Sequence, residues 1–420
     1  MAIARLAWRS LWNRRTTAML TVFAIALSVA LLLGVQKIRT AAREGFANTI
    51  SGTDLIVGAR SGPINLLLYA VFRIGDATAN VSWASYQKIA RHPDVAWTIP
   101  ISLGDSHRGF RVMGTSSDYF AHYRFAATHQ LEFAAGGPFA DLYDAVLGAD
   151  VAQSLGYKLG DRLIIAHGLG AVSFAQHADK PFRVAGILQR TGTPVDRTVH
   201  VGLEAISAIH VDWQTGMQAP PAFRVSAEQA RQRDLTPDSI TAFLVGMKSR
   251  IAVFQMQRAI NEYREEPLLA IIPGVALEQL WGIVGVADRT LMIVAAFVVL
   301  AGLLGMLTAL LASLNERRRE MAILRSAGAH PRHVFALLVA ESGILAASGV
   351  LLGMALTYVL LLAARPFLAG RYGIFLEITG LAADEWLLLG AVVASGLLAG
   401  FIPAARAYRN SLADGLTIRV

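Results

Sequence analysis

Four apolar runs, at residues 17–35, 291–314, 334–364 and 386–402, decide what this chain can be. Each is near or above the ~20 residues that a helix needs to cross ~30 Å of hydrocarbon. A chain in lipid must satisfy its backbone hydrogen bonds internally, so such runs read as helices. Only 16% of the residues are charged, against about 25% in an ordinary soluble domain. The net charge of +8 would suit nucleic acid, but many of the arginines flank the apolar runs. Arg5, Arg9, Arg14 and Arg15 precede the first. Arg317, Arg318, Arg319, Arg325 and Arg332 lie between the second and third, and Arg406, Arg409 and Arg419 follow the fourth. By the positive-inside rule both termini and the middle loop are cytoplasmic, and no nucleic-acid partner is expected.

The expected fold is membrane α-helical, with transmembrane helices at 16–36, 288–314, 334–364 and 385–403. A large α+β extracytoplasmic domain at 37–287 falls between the first and second. Residues 1–15 alternate apolar and basic positions at helical spacing and suit a helix in the inner interface. Residues 315–333 form a cytoplasmic loop, 365–384 a short outer loop and 404–420 a cytoplasmic tail. Ala24–Ala26 resembles a signal-peptidase site, but the apolar run continues to Val35, beyond an h-region of ~7–15 residues. An uncleaved anchor is expected. The chain has no cysteine, which excludes disulfides and thiolate chemistry.

The long segment begins and ends with helical patterns, 37–50 and 277–291, which would extend the first two spans outward as a stalk. Between them the signals are mixed. Residues 54–58 read as a strand, and 82–95 as a helix capped by Ser82 running into a strand at 98–103. After 144–148, residues 149–166 read as a helix, a Gly-Asp turn and then a strand; further strands are expected at 181–189, 197–203 and 237–247, and a helix at 249–263. Strand and turn signals are densest near 108–235, which reads as a β-rich lobe. The apolar stretch 52–75 reads as either a lipid-touching lip or a buried strand and helix.

After the second span comes NERRREMAILRSAGAHPRH. Asn315 is placed to cap a helix starting at Glu316, Met321, Ile323 and Leu324 give it an apolar patch, Gly328 would end it and Pro331 would begin the next helix. Small residues recur at four-residue spacing: Ala26, Ala30 and Gly34 on the first span, Gly349 and Gly353 on the third, Gly396 and Gly400 on the fourth. Such faces allow close helix approach, either within the chain or at a homodimer seam on the first span. Glu341 lies inside the third span, about three turns from Pro331. Intramembrane carboxylates are functional candidates, and its readings are a packed polar contact or proton coupling.

ARLAWRSLWNRRTTAMLTVFAIALSVALLL, VLGADVAQSLGYKLGDRLII, FRVAGILQRTGTPVDRTVHVGL, NERRREMAILRSAGAHPRHVFALLVAESGIL and GLLAGFIPAARAYRNSLADGL occur in an order that resembles the FtsX-like permeases. These are the membrane subunits of the type VII ABC systems that include MacB. The resemblance implies a homodimeric inner-membrane permease paired with a cytoplasmic ABC ATPase that binds ATP and Mg. The ATPase would press on Glu316, Arg317, Arg318, Arg319, Glu320, Leu324, Gly328 and Ala329, and the motion would pass to the periplasmic side by mechanotransmission. A periplasmic adaptor and an outer-membrane channel are further partners in such systems. An alternative within the family is a signalling subunit that relays ATPase motion to a cell-wall hydrolase without transport.

A P-loop needs G-x-x-x-x-G-K-[S/T]. The five lysines are Lys37, Lys88, Lys158, Lys180 and Lys248, and none follows a glycine. The chain is therefore expected to be non-catalytic, with ATP hydrolysis on a separate subunit and no cofactor of its own. Among the histidines, His167 and His177 are a conceivable metal pair. They fit neither i, i+4 spacing nor a recognised zinc pattern, so no metal is expected.

Overall fold

The computed structural model describes residues 11–12, 14–126, 128–168, 177–213, 219–220, 224–316, 321, 323, 325–326, 328–372 and 380–409. Most of the expected interfacial helix at 1–15, and the tail beyond 409, lie outside them. The chain divides into two compact units. One holds residues 1–41, 285–368 and 376–420; the other holds 42–284 and 369–375.

The first unit is built on four helices, α1 (Arg15–Thr49), α2 (Pro273–Glu316), α3 (Pro331–Tyr372) and α4 (Ala383–Arg409). Each has a stretch long and apolar enough to cross a membrane. Both α1 and α2 continue helically past their apolar runs, over residues 36–49 and 273–290. Pro331 opens α3, where its missing N–H costs nothing. Asp384 and Glu385 lie in the first turn of α4, and Arg406 and Arg409 in its last, each complementing the helix dipole. Ile25, Val29, Leu33, Leu303, Met306, Leu345, Leu389 and Val392 form a shared core from all four helices. A second cluster joins Leu314, Met321, Val334, Leu338, Ala404 and Ala407.

The second unit is a mixed α/β domain on one eleven-stranded sheet. Its strands are β1 (Leu55–Ala59), β2 (Val95–His107), β3 (Phe110–Thr115), β4 (Phe133–Gly136), β5 (Asp144–Leu147), β6 (Arg162–Leu163), β7 (Ala166–His167), β8 (Phe182–Leu188), β9 (Thr198–Gly202), β10 (Ala242–Met247) and β11 (Leu268–Ile271). The order is β11-β1-β10-β2-β3-β9-β5-β8-β4, with β7 on β2 and β6 on β8. Pairing is antiparallel except for β9 with β3 and β5 with β8.

The strands expected as a β-rich lobe near 108–235 do share a core of their own, with Val112, Leu147, Val184, Val201 and Ile209. They are not a separate sheet, however. The thirteen-residue β2 pairs with β10 on one edge and β3 on the other, so the hydrogen bonding is continuous. Ser82 caps the helix Trp83–Ala90, its hydroxyl accepting from the Ser85 N–H. The apolar stretch 52–75 is the buried strand and helix of the two readings above. All of β1 is buried, as are Leu66, Leu67, Tyr69, Ala70, Val71 and Phe72.

Candidate functional site

Several small residues of the helical unit, though not Gly34, sit where two helices meet within this chain. A Cβ on Gly349 would stand 2.6 Å from Cβ of Ile25, and one on Gly353 would stand 2.7 Å from the Ala26 carbonyl oxygen. The G-x-x-x-G face of α3 therefore lies on α1, at Ala26 and close to the buried Ala30. Gly396 and Gly400 of α4 face Ala346 and Ser342 of α3. Gly302 of α2 faces Ser28 of α1, whose hydroxyl donates to the Ala24 and Val298 carbonyls, 2.8 and 3.1 Å away. Gly34 has open space at its missing Cβ.

Two polar clusters tie the helices together. In one, Lys37 Nζ of α1 lies 3.0 Å from Glu385 Oε2 of α4 and donates to the Gly380 carbonyl at 2.7 Å. Gln36 Nε2 donates to Asp384 Oδ2 at 2.8 Å. In the other, Glu341 is 1% exposed and lines a cavity of about 40 Å³ with Arg14, Thr17, Thr21 and Ser313. Arg14 Nη1 donates to the Ser313 carbonyl at 3.2 Å, and Glu341 is held by its neighbours rather than left free.

The segment after the second apolar run departs from expectation at Asn315. Asn315 and Glu316 belong to the last turn of α2, so Asn315 does not cap a new helix. The helix formers at 309–314 carry the helix through that position. Residues 321, 323, 325 and 326 are helical. Gly328 then takes φ 94°, a left-handed position suited to glycine. Its N–H donates to the Arg325 carbonyl at 3.1 Å. Ala329 follows, half-buried, just before α3. Arg317, Arg318, Arg319, Glu320 and Leu324 lie outside the described residues.

In the α/β unit, four residues distant in sequence converge. Asp105 comes from β2, His167 from β7, His210 from the end of the helix Leu203–His210, and His177 from a segment whose N–H donates to Ile165 O at 2.9 Å. Their candidate ligand atoms all lie within 4.8 Å of one another. Asp105 Oδ1 is 3.2 Å from His167 Nδ1 and 3.5 Å from His210 Nε2, and those two nitrogens are 3.3 Å apart. Trp213 covers the cluster, its ring 4.6 Å from His167 and 4.9 Å from His177.

Burial and the neighbouring imidazoles push His177 down to about 4. Burial works to raise Asp105, but hydrogen bonds from His167 and His210 outweigh it and hold the carboxyl at about 2. Beside the cluster, buried Lys180 pairs with Asp179 at 2.7 Å and Asp212 at 3.0 Å. Sequence spacing offered His167 and His177 but gave no reason to join Asp105 and His210. The pairing of β7 on β2 brings in Asp105, matched in register with His167, and the end of the helix Leu203–His210 brings in His210.

The MacB-like periplasmic core domain family matches residues 18–263, and the FtsX-like permease C-terminal family matches residues 292–412. The chain belongs to the MacB/FtsX permease family. This permease is 25% identical over 428 residues to a macrolide export ATP-binding/permease protein, MacB, of Nitrobacter winogradskyi, covering 97% of this chain and 58% of the relative. It is 21% identical over 425 residues to a pyoverdine export ATP-binding/permease protein, PvdT, of Pseudomonas syringae pv. tomato, covering 98% and 58%. Among solved structures it is similar to the periplasmic region of MacB from Actinobacillus actinomycetemcomitans. There the TM-score is 0.33 and the identity 10%, over 55% of this chain and 94% of that one. The permease thus spans 58% of the length of these two curated relatives. With its four apolar helices and this family, it is a multi-pass membrane protein of the ABC-permease class.

Proposed function

We propose that this permease couples a cytoplasmic ABC ATPase, on a separate chain, to export or extraction of a substrate on the periplasmic side of the bacterial inner membrane. Two copies of the permease act together with the ATPase, and both termini face the cytoplasm. The observation that supports this reading most is that both parts of the chain match the same permease class, the MacB-like periplasmic core domain over residues 18–263 and the FtsX-like permease C-terminal over residues 292–412. The arginine-rich segment follows directly in sequence on α2, which ends its described range at Glu316. Arg317, Arg318, Arg319 and Glu320 would meet the ATPase, with Leu324 providing an apolar contact and Gly328 allowing the chain to turn back into α3. The relatives' names refer to export, which favours transport over signalling for this chain.

The test is reconstitution into liposomes with the candidate ATPase, comparing the wild type with Leu324→Asp and with the Arg318→Glu/Arg319→Glu pair. The expected result is ATP-dependent substrate movement in the wild type. In the variants that movement fails although the protein inserts normally. Normal transport in both variants would refute the coupling role. If ATP alters only the binding of a periplasmic partner and moves no substrate, the transport reading fails and the signalling reading replaces it.

A further inference from the structure

We propose that Asp105, His167, His177 and His210 form a four-coordinate Zn(II) site that fastens three elements of the α/β unit. The site is independent of the ATPase reading, since all four residues lie in one compact unit. Neutral imidazoles and a carboxylate are ligands of the zinc class, whereas three imidazoles disfavour the hard cations Mg(II) and Ca(II).

The distances discriminate further. Asp105 Oδ1, His167 Nδ1 and His210 Nε2 make a triangle with edges of 3.2, 3.5 and 3.3 Å. Ligands at ~2.05 Å from a tetrahedral ion stand ~3.3 Å apart, while adjacent ligands of a square-planar ion at the same bond length stand ~2.9 Å apart. The triangle therefore has the dimensions of one tetrahedral face. His177 would supply the fourth ligand, its candidate nitrogen lying within 4.8 Å of the other three ligand atoms. Its ring centroid is 4.6 Å from that of His167 and 5.1 Å from that of His210.

Hydrogen bonding alone accounts poorly for the arrangement. His177 is fully buried, and among the described residues neither of its ring nitrogens has a hydrogen-bond partner. An unsatisfied buried polar atom costs about 1–3 kcal/mol. Coordination would engage a nitrogen lone pair of His177 and the Asp105 carboxylate together. With four protein ligands the coordination is closed, which is the pattern of structural rather than catalytic zinc. The ion would join β2, β7 and the helix Leu203–His210 through side chains, beyond what the short β7 achieves with its two paired residues. The neighbouring pair Lys180–Asp212 holds the backbone on both sides, since Lys180 N donates to the His177 carbonyl and Asp212 follows His210 by two residues.

The test uses the full-length chain purified without a histidine tag, stripped with chelator, dialysed against Zn(II), desalted and analysed by elemental mass spectrometry. Co(II) replaces Zn(II) in a parallel sample for visible spectroscopy. The expected result is about one Zn(II) per chain, a rise in the thermal midpoint on adding Zn(II), and the intense visible bands of tetrahedral Co(II). Asp105→Asn and the half-buried His210→Gln should each lose the bound metal and the thermal shift, while the exposed His129→Gln keeps both. A wild type that retains no zinc after desalting overturns the proposal. So does zinc content unchanged in both ligand variants, or lost equally in His129→Gln. Because the wild-type metal content is itself decisive, a folding defect in one variant does not rescue the idea.

Discussion

Gly353 and Gly34 carry the same sequence signal, a small residue in a four-residue ladder, but the structure separates them. At Gly353 an added Cβ would lie 2.7 Å from the Ala26 carbonyl oxygen and 2.7 Å from Val29 Cβ. Comfortable contact needs ~3.5–4.0 Å, so α1 and α3 would have to separate locally by about 1 Å. Val29 and Ala26 are fully buried, and one of the opposing atoms is backbone, so neither can swing aside. Overpacking of this kind costs about 1–3 kcal/mol. At Gly34 nothing lies within 4 Å. Replacing helical Gly by Ala gains about 1 kcal/mol in propensity at either site, so that gain cancels when the two variants are compared. Gly353→Ala should thus be about 1–3 kcal/mol less stable than Gly34→Ala. The measurement is SDS-induced unfolding from detergent micelles, followed by far-ultraviolet circular dichroism. Equal midpoints and slopes for the two variants, or a lower midpoint for Gly34→Ala, would refute the packing argument.

Lys37→Met leaves Glu385 buried and uncompensated, and should cost about 3–5 kcal/mol in the same unfolding assay. The double variant Lys37→Met/Glu385→Leu should recover much of that loss. For acid stability, burial pushes His200 down to about 3, with Arg73 adding to the shift. A histidine whose folded value lies below its unfolded ~6.5 binds more protons unfolded, so its stabilising contribution is complete above that value and shrinks as pH falls toward 3. In chelator, the α/β unit should lose stability between about pH 6.5 and 4, at up to ~1.4 kcal/mol per pH unit for each such histidine. His200→Phe should flatten the slope by about one proton's worth, read from denaturant midpoints across pH. Gly328→Ala forces a side chain into φ 94°, and should weaken the turn by about 1–2 kcal/mol. Limited proteolysis should then cut faster between α2 and α3.

Local patterns made much of the secondary structure legible. The Ser82 cap, the apolar runs of 17 or more residues, and the Gly328 and Pro331 punctuation are each set by neighbours a few residues away. What stayed hidden depends on long-range pairing. Residues 166–167 make a strand too short to show periodicity, and they exist as one only because β2 offers an edge beside Asp105 and Ser106. The gathering of Asp105 with His167, His177 and His210 follows from that pairing and from the position of the helix Leu203–His210. No spacing rule over 105 residues could have supplied it. Asn315 failed for the opposite reason: a strong local capping residue was overridden by a helix already propagating through it.

The same contrast bears on how two copies would meet. Sequence alone left the small-residue ladder of α1 open to either an intrachain contact or a dimer seam. Ala26 and Ala30 are buried, and Ala26 meets Gly353 inside one chain. Those residues are therefore consumed before a second copy arrives. The face of α1 that remains accessible carries Leu20, Phe23, Leu27 and Leu31, spaced at three and four residues and more than two-fifths exposed. A pairing of copies through α1 would have to use this large-residue face, by knobs-into-holes contact rather than close backbone approach. Cross-linking distinguishes the two. With cysteines placed singly in this cysteine-free chain, a seam on the large face gives dimers from position 27 or 31 and none from position 26 or 30. Efficient dimers from 26 or 30 would mean that the helices of one chain open to let the partner in, contrary to the packing described here.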